Sequence, residues 1–174
     1  MFAMIFGSMT VRDVIAIGAN TTLQAVISGT ALSLESPTQV DYAGVTLNGV
    51  QQNTMANLTV VNMRDPRGTG AGWTAIGAAN NMKSGTNDIS NAYVSWSPGT
   101  IYALDGASNT GVAAGTAYSG NFADGSGTKT LANTALSANV GMGNYVINGT
   151  TMNLMIKSTV PAGTYQNTLT LTIS

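Results

Sequence analysis

The chain has 174 residues, a length that buries a substantial core in one domain. Only 7% of them are charged, six Lys or Arg against seven Asp or Glu, for a net charge of −1. That excludes the basic stripe needed for nucleic-acid binding or for polybasic attachment to a membrane. The absence of Cys and His removes disulfides, thiolate or imidazole metal sites and His-based acid–base catalysis.

The apolar fraction of 44% is that of a globular chain rather than a disordered one. Few charges mean weak repulsion between copies, so self-association is easy. No apolar run approaches the roughly 20 residues of a membrane span.

In chain order, the first element is an apolar arm, residues 1–19. "MFAMIF" and "VIAIGA" are apolar at odd and even positions alike, separated by Arg12 and Asp13. A strand buried on both faces reads this way. No Lys or Arg precedes the first run, which stops at Gly7 and Ser8, so it is not a complete signal peptide.

The domain proper, residues 20–174, alternates with period two. Strands are expected with Leu23, Ala25 and Ile27 on one face, then Leu32 with Leu34, Val45 with Leu47, and Leu58 with Val60. "WTAIGAANNM" has room for one short helical turn. Val94 pairs with Trp96, and Met152, Leu154 and Ile156 share a face. The final run turns Leu169, Leu171 and Ile173 inward and its threonines outward. The stretch between, residues 108–145, is poor in large apolar residues and reads as loops with short strands.

Turn chemistry separates the runs at Asn48-Gly49, Asp105-Gly106, Asp124-Gly125 and Asn148-Gly149, and at "PRGTGAG", "SPGT" and "PAGT". Many short strands between close turns predict an all-β fold: a single antiparallel β-sandwich or jelly-roll domain preceded by the arm.

Candidate chemistry is sparse. The acids Asp13, Glu35, Asp41, Asp65, Asp88, Asp105 and Asp124 show no paired-carboxylate spacing. "DGSGT" is half of a calcium loop, short of the six to eight oxygens that calcium takes. Without His no ordinary triad forms, and no Gly-Lys-Ser/Thr element marks a phosphate loop. No catalytic residue, metal site or cofactor is therefore expected. Asp65 and Arg67 are expected to fix their turn, and Trp73 and Trp96 to anchor the core. Asn20, Asn57 and Asn148 begin Asn-x-Ser/Thr sequons, candidate glycosylation positions.

Three stretches together resemble the WxL family of prokaryotic cell-surface domains. The first, "ALSLESPTQVDYAGVTLNGVQQNTMANLTVVNMRDPRGTGAGWTA", ends in an Asp-x-Arg-Gly-x-Gly-x-Gly-Trp pattern running from Asp65 to Trp73. The others are "VSWSPGTI" and "NLMIKSTVPAGTYQNTLTLTIS". The similarity covers about residues 30–174. The two Trp-x-Leu motifs of the family read Trp73-Thr74-Ala75 and Leu171-Thr172-Ile173 here. The resemblance implies an extracellular β-sandwich and attachment to cell walls. In compositional style the chain is also similar to the TasA- and camelysin-type biofilm-fibre subunits and to donor-strand pilus subunits.

The expected function is that of a structural subunit of an extracellular filament on a prokaryotic cell surface, pilus-like or part of a biofilm matrix. Residues 1–19 of one copy would complete the sheet of the next, a head-to-tail homopolymer built by donor-strand complementation. The inserted contacts would be Met1, Phe2, Ile5, Val14, Ile15 and Ile17, each worth roughly 1.5–3 kcal/mol when buried. Further partners would be neighbouring filaments or cell-surface glycans. The alternative is a monomeric WxL-like module that binds cell wall or glycan.

Overall fold

The structure, a computed structural model, describes residues 24–117, 120–125, 127–135 and 140–174. The chain is all-β. Its strands are β1 (Ser33–Glu35), β2 (Gln52–Asp65), β3 (Thr74–Ala79), β4 (Met82–Ser84), β5 (Asn87–Ile89), β6 (Val94–Ser97), β7 (Thr100–Leu104), β8 (Val112–Ala114), β9 (Thr128–Thr134), β10 (Gly143–Ile156) and β11 (Leu169–Ile173). A 3-10 turn, Asn91–Tyr93, leads into β6.

Two antiparallel sheets face each other. The first is ordered β1-β2-β10, with both β6 and β7 on the far side of β10. The second is ordered β11-β3-β9-β8, and β4-β5 forms a separate hairpin. The 14-residue strands β2 and β10 pair from Gly143↔Asp65 to Ile156↔Gln52 and form the spine of the first sheet. Against the other edge of β10, β7 covers Asn144–Asn148 and β6 covers Thr151–Leu154, without a shift in register between them. β6 and β7 are thus one strand interrupted at Pro98-Gly99. Pro98 has no N–H to give to the ladder, and the Gly99 N–H instead donates to Oγ1 of the fully buried Thr150 at 3.0 Å.

At this level the inward-facing set slips by one residue on all three strands. On β2 the buried positions are Thr54, Ala56 and Leu58, then Val61, Met63 and Asp65. On β10 they are Tyr145 and Ile147, then Thr150, Met152 and Leu154. On the third strand, Val94 and Trp96 are buried and Ile101 and Ala103 half-buried. The slip falls at Thr59-Val60, Asn148-Gly149 and Pro98-Gly99, which lie side by side. Strict alternation would have reversed the face of one half of each strand.

Several expectations are corrected here. Leu58 shares its face with Val61, whereas Val60 is exposed. Asn148-Gly149 is no hairpin turn but the mid-strand slip, with Gly149 at φ 79°. Residues 74–79 form β3 rather than a helical turn, because their alternate small residues Ala75, Gly77 and Ala79 pack under the opposite sheet. The described part of the stretch around Ala25 and Ile27 is irregular and exposed, and so is Leu47. Asp105-Gly106 is a turn as expected, with both residues at positive φ and Ala107 N–H bonded back to the Leu104 carbonyl.

The core lies between the sheets. Trp96, fully buried, meets Phe122 edge-on at 5.2 Å and lies over Gly77 of the opposite sheet. Trp73 tilts against Tyr145 at 5.6 Å. Its Nε1 donates to the Gly141 carbonyl and its backbone N–H to Thr134 Oγ1, each at 2.8 Å. Both Trp residues are therefore core anchors, as expected.

Candidate functional site

The donor-strand candidates Met1, Phe2, Ile5, Val14, Ile15 and Ile17, and the sequon at Asn20, lie outside the described residues. Asn57 and Asn148 are described, and both are exposed on the outer face of the first sheet.

The loop from Asp65 to Trp73 is self-contained. Asp65, almost fully buried, accepts from Arg67 Nε at 2.8 Å, Arg67 Nη2 at 2.9 Å and the Arg67 backbone N–H at 3.2 Å. Arg67 Nη2 also reaches the Gly72 carbonyl at 2.6 Å. The Arg67 hydrogen bonds hold the Asp65 carboxyl below its usual range, against the opposing effect of burial. The glycines carry the turns, with Gly68, Gly70 and Gly72 all at positive φ. With Asp65 saturated by its own loop, the arrangement closes the loop and leaves no carboxylate free for an ion. Among the described residues no three acidic side chains converge on a common point, and no helix is long and apolar enough to cross a membrane.

Two features of the first sheet remain open to partners. One is the outer edge of β2. The short β1 pairs only with Asn62–Arg64, and Ala43 N–H reaches the Met55 carbonyl at 3.2 Å. Between them no described segment pairs with residues 56–61. Beside this stretch stand the exposed Met55 and Val60. An unpaired edge in a long strand is a template for another strand.

The other is the outer face. The register places Asn53, Asn57 and Asn62 of β2 and Asn144, Asn148 and Asn153 of β10 on it. β6 and β7 add Ser95, Ser97, Thr100 and Tyr102. At one end, residues Ala43–Val45 wall a cleft of about 680 Å³ floored by Asn53, Met55 and Asn153. A second, polar cleft of about 580 Å³ lies between Asn80–Lys83 and Gln166–Thr168. Its amides are largely engaged: Asn81 with Asp88 and the Asn91 N–H, Asn91 with the Ala79 carbonyl, Asn167 with the Asn80 carbonyl.

Sequence reasoning missed this face. Period-two counting follows apolar residues inward, and the slip at Asn148-Gly149 breaks the outward count on both long strands. The signal available was the recurrence of Asn at 53, 57 and 62 and at 144, 148 and 153 in two apolar-patterned runs.

No family model, no curated protein and no solved structure matches this chain.

Proposed function

We propose that this protein is a structural subunit of an extracellular filament, pilus-like or part of a biofilm matrix, on a prokaryotic cell surface. Residues 1–19 of one copy supply a strand to the next, head to tail. The observation that carries this reading is the outer edge of β2, without a hydrogen-bonded strand partner along residues 56–61 among the described residues, with Met55 and Val60 exposed. A segment apolar on both faces suits such an edge, because added main-chain hydrogen bonds satisfy the edge while its side chains cover apolar neighbours. Head-to-tail addition yields open filaments where the rotation between subunits does not close a ring. The low charge leaves little repulsion to oppose them.

Electron microscopy of the purified chain with and without residues 1–19 tests the reading. Filaments from the full chain and dispersed folded particles from the truncated one are expected. Uniform small particles from both, with circular dichroism showing the truncated chain folded, would overturn it in favour of a monomeric wall- or glycan-binding module.

A further inference from the structure

We infer that the outer face of the β2–β10 sheet, together with the cleft at its Asn53–Asn153 end, is a binding platform for an uncharged polysaccharide chain. This inference does not depend on polymerisation.

The first ground is charge. Across the rows Val60–Asn148–Thr100, Asn57–Thr151–Ser97 and Met55–Asn153–Ser95 there is no ionisable side chain. Ionisable groups stand beyond these rows: Arg64 and Glu35 pair at one corner at 3.8 Å, the Asp105 carboxylate accepts from Asn144, and Lys157 lies 4.5 Å over the Tyr93 ring. Within these rows a charged polymer finds no opposite charge to offset its desolvation, whereas an uncharged polyol has a smaller desolvation cost that hydrogen bonds can offset.

The second ground is hydrogen-bonding capacity. Each carboxamide offers two donors and an acceptor with two lone pairs, which suits hydroxyl groups that both donate and accept. Asn53, Asn57, Asn148 and Asn153 make no side-chain hydrogen bond to any described residue, so their capacity is unspent. Neighbouring strands lie about 4.8 Å apart, and alternate residues along a strand about 6.6 Å. The amides therefore form a two-dimensional grid rather than a single pocket.

The third ground is shape. The cleft of about 680 Å³ lies within the range of small-ligand sites. It opens onto the face rather than ending in the core, since its floor residues Asn53 and Asn153 belong to that face. Towards the other end stands Tyr102, 49% exposed and level with Val146 and Asn62. Its ring offers an apolar surface with a polar tip for a sugar ring. Seven residues of strand separate Ser95 from Tyr102, about 23 Å of rise, so the ligand that uses both is a chain and not a single sugar.

Biolayer interferometry with the full chain over immobilised glucan, mannan and chitin hexasaccharides, with polygalacturonate as the charged comparison, tests the inference. The protein comes from a host that does not N-glycosylate, so that Asn57 and Asn148 are bare amides. Retention on at least one neutral glycan, unchanged between 50 mM and 500 mM salt, is expected. Asn153→Asp and Tyr102→Ala should each weaken it at least tenfold, while Lys83→Ala leaves it unchanged. No retention on any neutral hexasaccharide, equal retention by the face variants, or preferential and salt-sensitive retention on polygalacturonate would overturn it. The salt series uses the unaltered chain, so it reads out even where a variant fails to fold.

Discussion

Arg67 grips Asp65 side-on, Nε to Oδ1 at 2.8 Å and Nη2 to Oδ2 at 2.9 Å, two residues away in a loop that returns to Trp73. The pair joins the end of β2 to the start of β3, and so one sheet to the other. The Asp65 side chain has no solvent exposure, so its charge depends on this one partner.

Removing the fork therefore unfolds the chain more readily. Arg67→Ala is expected to lower the urea midpoint clearly, and Arg67→Lys to lower it less. A lysine keeps the charge but cannot make two parallel bonds to the carboxylate and a third to the Gly72 carbonyl. Equal midpoints for all three chains would show that the pair contributes nothing.

The same pair sets an acid limit. The carboxyl of Asp65 is held below its usual value, chiefly by its hydrogen bond from Arg67. Its stabilisation is complete above the unfolded carboxylate value of about 3.9 and is lost as pH falls through the lower folded value. Thermal melts from pH 6 to pH 2 should show a loss that Asp65→Asn largely abolishes, from a lower starting stability.

An alkaline limit is set by Tyr42, whose phenol is pushed up to about 12 by burial. The unfolded phenol ionises near 10. Stability is thus full below pH 10 and declines as pH rises through about 12, because only the unfolded chain ionises freely in between. Absorbance at 295 nm during a pH titration should show a late-ionising phenol that Tyr42→Phe removes.

The slip across the first sheet has its own test. A Cβ at Gly99 would press into the backbone of Asn148 and Gly149, which cannot swing aside. Gly99→Ala should cost about 3 kcal/mol. Gly149 has open space around it but a φ of 79°, so Gly149→Ala should cost less, about 1–2 kcal/mol. Chemical denaturation of the two variants gives the order, and a reversed order would show that the close approach at Gly99 is not what holds the kink.

The close contact between the sheets is tested at Gly77, where a Cβ would meet Trp96 Cζ3 at 2.7 Å. Gly77→Ala should destabilise by about 1–3 kcal/mol and shift the Trp fluorescence, as Trp96 is levered from its place against Phe122. Unchanged stability and emission would mean that the ring has room to move.

Much of the architecture was legible in the residues themselves. Alternation in "TMNLMIKS" and "LTLTI" identified the second half of β10 and β11, because a side chain's face in a strand is a local property of period two. Asp105-Gly106 announced its turn for an equally local reason, the φ signs that the two residues tolerate. The lack of His and Cys ruled out whole classes of chemistry by composition alone.

What only the tertiary structure decided depends on neighbours. Asn148-Gly149 has the chemistry of a hairpin turn, yet its strand runs on because β2 and the β6–β7 strand slip with it and keep the ladder paired. "TAIGAA" has no strong strand propensity, but only small residues fit beneath Trp96, and that requirement places it in a sheet. The asparagines of β2 and β10 share a face only because two distant strands pair in one register. Which part of the second edge of β2 stays unpaired follows from where β1 and Ala43 dock. Register, edges and inter-sheet packing arise from contacts between segments remote in the chain, and local patterning does not encode them.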